Sequence, residues 1–241
     1  MEWRWIDRMK YVFGVLLTLG IWANGWANEP DRQQTTGEGV AGISYVTKMA
    51  LIQGHLWVAA QLVEAEEMDL GAKHAKHPQQ EVYQELLPFF LQIGSSGFAD
   101  ELDDMAQQLH NPSKGDFRAS YLRVMAVIDD IIAGQDLNDS AKLTVAQALI
   151  AQAAVEYRAG VVDGEITDLQ EYQDARGFLQ IAETFVAQCE ESRRRDSLLE
   201  QFQSAKVLWP DLNLEGALTE DAARLSLLAD QLAATGELAS P

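Results

Sequence analysis

Apolar residues recur along this chain at three- and four-residue intervals, the period of a helix that buries one face. Val46, Met49, Ile52, His55, Ala59 and Leu62 form one such stripe, which predicts a first helix from about Ile43 to Met68, closed at Gly71. A second helix is expected to start near His77-Pro78 and to carry Val82, Leu86, Phe89, Phe90 and Ile93. Pro78 suits a first helical position, and Pro88 should bend the helix or end its first part. Gly94-Ser95-Ser96-Gly97 interrupts the pattern. A shorter helix from Phe98 to Leu109 follows and stops at Asn111-Pro112. Asp116 to Ala133 reads as the next helix, with Tyr121, Val124, Ile128 and Ile131 inward and Gly134 at its end.

The second half continues in the same way. Asn138-Asp139-Ser140 is a capping cluster before Leu143, Ala146, Leu149, Ala153 and Glu156. The pattern breaks between Gly160 and Gly164. Thr167 with Gln170 three residues on matches a capping box, which opens a helix lined by Glu171, Ala175, Phe178, Ala182, Phe185 and Cys189. Arg193-Arg194-Arg195 fits a solvated face, and the stripe resumes at Leu198, Phe202 and Val207 as far as Trp209-Pro210. A last helix is expected after Thr219, with Glu220 and Asp221 in its first turn, and with Ala222, Leu225, Leu228 and Leu232 inward before Gly236. No run of alternating β-branched residues argues for strands. The expected fold class is all-α: a single up-and-down helical bundle of about six to seven helices.

The N-terminus changes the picture of compartment. Arg4, Arg8 and Lys10 precede an apolar run from Tyr11 to Trp22, and Gly25-Trp26-Ala27 offers small residues at the positions a signal peptidase reads. The run is shorter than the ~20 residues that span a bilayer comfortably. The expected organisation is a signal peptide over residues 1–27, a polar linker over 28–40, the bundle over 41–236 and a tail over 237–241. The product would be periplasmic or secreted; the alternative is a protein anchored in the membrane by residues 11–22. A formal net charge of −19 argues against nucleic acid and anionic lipid as partners, because both need a positive patch. Cys189 is the single cysteine, which excludes an intrachain disulfide and favours a buried thiol.

Candidate chemistry lies where polar residues interrupt the apolar lines. His55 stands mid-stripe after Gly54, a residue that lets another helix approach closely. His74 and His77 are spaced i, i+3, and Glu81 follows four residues later, so a helix would put them on one face. Glu156 and Glu171 lie symmetrically about the Asp163-Gly164 turn, each followed by a tyrosine and each on an apolar line. Two carboxylates meeting inside a bundle need a shared proton, a cation or strong donors such as tyrosine or Arg176. Imidazole and carboxylate together suit iron, zinc or copper, so His55, His74, His77, Glu81, Glu156 and Glu171 are the candidate metal ligands. The Glu-x-x-His spacing of di-iron bundles is missing at both glutamates. A Gly-rich phosphate loop, a Gly-x-Ser-x-Gly elbow, His-Glu-x-x-His and paired cysteines are missing too, and with them the usual enzyme signatures.

Glu156-Tyr157, Val161, Asp163-Gly164, Ile166, Glu171-Tyr172 and Gly177-Phe178 together resemble a hairpin of bacterial helical periplasmic domains linked to iron uptake, including the extracytoplasmic extensions of high-affinity iron permeases. Trp209-Pro210 ahead of a final helix is similar. Gly54-His55-Leu56 with His74, His77-Pro78, Glu81 and Tyr83 resembles a motif of small exported helical proteins. The resemblance implies an exported, metal-associated helical domain, with iron or another transition metal ion as its ligand. Two departures stand out. The Arg-Glu-x-x-Glu ligands of permease membrane helices are not in the sequence, and Val58 stands where an imelysin-like Gly-x-His-x-x-Glu pattern would place its glutamate. The expected function is a metal-associated binding protein that assists iron uptake and has a metal ion or a protein as partner. The alternative is a helical scaffold or partner-binding module without metal in the periplasm.

Overall fold

The structure, a computed structural model, describes residues 32–110, 116–214 and 223–237. The expected signal peptide, the apolar run at 11–22 and the helix start at Thr219 lie outside the described residues, as do the side chains of Gln80 and Glu81. Two units divide the chain, Met1–Glu38 and Gly39–Pro241. In the first, only residues 32–38 are described, and they are helical.

The described residues are almost wholly helical, as the apolar periodicity predicts. In chain order the helices are α1 (Arg32–Glu64), α2 (Met68–Glu81), α3 (Leu87–Ile93), α4 (Ala99–His110), α5 (Phe117–Ala133), α6 (Asp139–Gly160), α7 (Leu169–Ala187), α8 (Arg193–Ala205) and α9 (Ala223–Glu237). Short 3-10 turns at Tyr83–Leu86 and Lys206–Leu208 join some of them. Side-chain caps set several starts. Asp116 accepts from the amides of Arg118 and Ala119, Asn138 from Ala141, and Ser192 from Arg195. Each satisfies amides that the first helical turn leaves unpaired.

Several boundaries differ from the sequence expectation. α1 starts at Arg32, so the expected polar linker is helical from that residue on. It ends at Glu64, and the chain turns through Glu66, whose φ is 66°. Gly71 does not close α1. It lies inside α2, where an added Cβ would come within 2.8 Å of Val63 Cγ2 and 3.1 Å of the Ala59 carbonyl, so the glycine lets α2 fold back tightly on α1. Pro78 is not a first helical residue but sits inside α2; Pro88 instead occupies the first turn of α3. Asp168, not Thr167, caps α7 by accepting from the Gln170 amide. The line expected from Glu171 to Cys189 leaves the helix after Ala187, and Val207, expected inward on the resumed stripe, is exposed. Residues 161–166 form a two-stranded antiparallel turn that pairs Val161 with Ile166 and Val162 with Glu165. Asp163 and Gly164 occupy its tip with φ of 52° and 79°.

α6 and α7 run antiparallel from this turn and pack against each other along their length, with α9 against α6 and α8 against α7. α4 links α2 to α5. The core is filled by Leu149, Ile150, Tyr157, Tyr172, Phe178, Leu179 and Phe202 from the C-terminal helices, and by Met49, Ile52, Leu56 and Leu62 from α1. The buried thiol of Cys189 faces the carbonyls of Phe185 and Asp139, and burial raises its pKa. No helix among the described residues is long and apolar enough to cross a membrane.

Candidate metal centre

α1 and α7 cross at two glycines. A Cβ added to Gly177 would lie 2.4 Å from the Gly54 carbonyl oxygen, and one added to Gly54 would lie 2.5 Å from Phe178 Cδ1. This contact between bare backbones sets the residue after Gly54 against the face of α7. His55 Nδ1 is 2.6 Å from Asp174 Oδ1, and both residues are buried. Phe178 closes over His55 edge to face, with ring centroids 5.0 Å apart.

α2 supplies the second imidazole. His74 Nδ1 reaches the same Asp174 Oδ1 at 2.9 Å, and its Nε2 lies 2.8 Å from Gln173 Oε1. His77, one turn further along α2, has Nδ1 3.9 Å from Asp174 Oδ2 and contacts Gln170 through both ring nitrogens. Its ring is half-buried and stands 5.8 Å from that of His55. The ligand atoms of His55, His74 and Asp174 all lie within 4.8 Å of one another.

The charge states follow from these surroundings. Burial by itself would raise the Asp174 carboxyl. The charges and hydrogen bonds of His55 and His74 outweigh it and hold the carboxyl far below its ordinary range. Asp174 is therefore a carboxylate that accepts two imidazole N–H groups. For His77, burial is the larger effect and His55 adds to it, while Asp174 opposes; the pKa falls from 6.5 to about 4. His77 is a neutral imidazole near pH 7, the form that can donate a lone pair to a metal.

Glu156 on α6 and Glu171 on α7 meet across the hairpin and share a hydrogen bond. Burial raises both. The charge of Glu156, then the bond to it and the field of Asp174, push Glu171 further, to about 10, which makes it the proton donor of the pair. Gln152 donates to Glu156 Oε1. Neither tyrosine Tyr172 nor Arg176 supplies the donors the sequence suggested. The Tyr172 hydroxyl donates to the Asp211 carbonyl at 3.0 Å, and Arg176 contacts Gln180 and lies over the Trp57 ring. The pair is electrostatically coupled to the imidazole cluster: Asp174 raises both glutamates, and His55 lowers Glu156.

The structure thus brings His55, His74, His77, Glu156 and Glu171 to one polar region inside the fold. Glu81 is helical in its backbone, but its side chain lies outside the described residues. Two central members, Asp174 and Gln173, were missed from sequence. Asp174 does carry a signal, because it stands three after Glu171 and three before Gly177 and so shares their face of α7.

The donor set suits a cation of the iron, zinc and copper class, since imidazole and carboxylate together favour borderline metals over magnesium or calcium. No curated protein and no solved structure matches the chain. α1 and α2, which bring His55, His74 and His77, lie outside the residues matched by a family model, whereas α6–α9, with Glu156, Glu171, Gln173 and Asp174, lie within them. Over residues 134–239 the chain matches the family of the iron permease-associated 4-helix bundle domain.

Proposed function

We propose that this chain is an exported helical protein that binds a transition-metal cation, iron first among them, and works beside an iron permease. One observation carries the reading: the ligand atoms of His55, His74 and Asp174 converge within 4.8 Å in the buried core. Neutral His77 and the Glu156–Glu171 pair stand next to that cluster and could complete a ligand set. The iron-permease link of residues 134–239 supports iron as cargo and the permease as partner. The leader ending at Gly25-Trp26-Ala27 supports export. The net charge of −19 draws cations toward the protein.

A second reading is a scaffold without metal. It is favoured by the Gln173–His74–Asp174–His55 chain, whose hydrogen bonds are complete without an ion. Thermal melting of chelator-treated protein, titrated with ferrous and ferric iron, zinc, copper and manganese, separates the two. A ligand that binds only the folded state raises the melting point with concentration. The metal reading expects such a rise in the parent, a smaller one in Glu171→Gln and His77→Ala, and none in Asp174→Asn. If no ion moves the parent, or if all three variants respond as the parent does, the scaffold reading stands.

A further inference from the structure

The segment after α8 is fastened to α7 at three points. Trp209 Nε1–H donates to the Tyr172 carbonyl at 2.7 Å, and the Tyr172 hydroxyl donates back to the Asp211 carbonyl at 3.0 Å. Gln173 Nε2 donates to the Leu212 carbonyl at 2.8 Å. The segment is also tied to the α1–α2 turn, where Asn213 Nδ2 donates to Glu67 Oε1 at 2.8 Å. Its backbone is therefore placed from two sides.

This placement fixes the state of His74. A carbonyl oxygen only accepts, so the Leu212 contact requires the amide nitrogen of Gln173 to face it. Gln173 Oε1 must then face His74, where it lies 2.8 Å from Nε2. An amide oxygen also only accepts, so His74 Nε2 carries a proton. The only His74 atom left for a cation is Nδ1, and an ion that binds there displaces to solvent the proton that Nδ1 donates to Asp174 in the metal-free protein. Gln173 itself is fully buried, so water cannot stand in for either contact.

We propose that Gln173, pinned by the Leu212 carbonyl, is the positioning residue of the centre: it holds the His74 Nε2 proton and presents Nδ1 as the ligand atom. This rests on the metal reading above and adds which atom of His74 binds and what aims it. Residues that hold the far nitrogen of a ligating histidine typically change metal affinity about 10- to 100-fold when removed. The segment Trp209–Asn213 thereby becomes part of the site, although none of its side chains enters the cluster.

The test compares the parent with Gln173→Leu and Gln173→Glu. Affinity for zinc and ferrous iron is read by chelator competition, and folding by circular dichroism and melting of the metal-free proteins. Nitrogen-15 spectra of the zinc-loaded parent report which nitrogen of His74 keeps its proton. Gln173→Glu keeps an acceptor toward His74 but sets an acceptor against the Leu212 carbonyl, so it separates the two halves of the clamp. The expected result is a folded Gln173→Leu protein with affinity about 10- to 100-fold weaker, a smaller loss in Gln173→Glu, and a protonated His74 Nε2 in the loaded parent. Parent-like affinity in folded Gln173→Leu, or a metal-bound Nε2, overturns the inference and leaves the metal reading in place. A parent that binds neither ion overturns both. If Gln173→Leu does not fold, the nitrogen spectrum of the parent decides alone.

Discussion

His55 and Asp174 stand 119 positions apart in sequence and meet at 2.6 Å in the core, because Gly54 and Gly177 let α1 and α7 touch backbone to backbone. The carboxylate serves two imidazoles at one oxygen, so its loss takes the same charged acceptor from His55 and His74 at once. Breaking one partner out of a buried ion pair costs roughly 3–5 kcal/mol. Asp174→Asn keeps the shape and loses the charge. We expect it to destabilise the metal-free protein by an amount in that range, read from urea unfolding. A loss below ~1 kcal/mol would show that the cluster is not a buried ion pair.

The glycine contact gives a second prediction. Gly177→Ala should gain about 1 kcal/mol of helix propensity on an isolated helix. Here its methyl would sit 2.4 Å from a backbone oxygen of α1 that has no rotamer to yield. Overpacking of this kind costs typically 1–3 kcal/mol, and it also moves His55 away from Asp174. We expect Gly177→Ala to be less stable than the parent and to bind metal more weakly. Gly54→Ala should be milder, since its methyl meets the Phe178 side chain first and the α7 backbone only at 3.3 Å. Equal stability of Gly177→Ala and parent would contradict the close crossing.

Much of the centre is legible in the chain, and the limits have physical causes. His55 shows because an imidazole interrupts an apolar stripe, and Glu156 and Glu171 show because they sit at matching places beside one turn. Asp174 stays hidden because it stands next to Ala175 on the stripe and looks like the polar edge of α7. Its spacing to Glu171 and Gly177 becomes a signal only once a carboxylate, not a histidine, is sought there. The α1–α2 boundary is misread because a glycine ordinarily ends a helix, whereas Gly71 is needed for close packing inside one. Pro78 misleads for a similar reason: α2 passes through it, with the Val82 amide still bonded to the Pro78 carbonyl. Such tertiary contacts override local preference and leave no periodic trace.

Trp209 offers a test of the fastening that needs no metal. Its ring packs against Tyr157 and Tyr172 at 5.2 and 6.1 Å, and its N–H bonds the Tyr172 carbonyl. Trp209→Phe keeps most of the aromatic surface and removes the donor. A lost buried hydrogen bond costs about 1–3 kcal/mol. We expect destabilisation of that order by urea unfolding, with faster amide exchange around Leu212. Unchanged exchange there would mean that the other ties hold the segment unaided.

The coupled carboxyls predict an unusual dependence on pH in the metal-free protein. Glu171 is pushed up to about 10 in the folded state from an ordinary 4.5. The folded protein therefore keeps a proton that the unfolded chain has shed. The resulting stability is complete below about 4.5 and is lost as the pH rises toward 10. His77 runs the other way. Its pKa falls to about 4 from 6.5, so the unfolded chain takes up the extra proton, and stability drops as the pH falls through this range. The two slopes oppose each other in mildly acid solution; above 6.5 that of His77 is gone and that of Glu171 remains, with the raised Glu156 acting in the same direction. We expect chelator-treated protein to lose stability steadily from neutral to alkaline pH, at no more than about 1.4 kcal/mol per pH unit for this one proton. Glu171→Gln should flatten the alkaline limb and leave the acid limb, and His77→Ala should do the reverse. Urea unfolding of the three proteins across this range checks both. A parent whose stability is level or rising between neutral and alkaline pH would remove the shared proton from the Glu156–Glu171 pair.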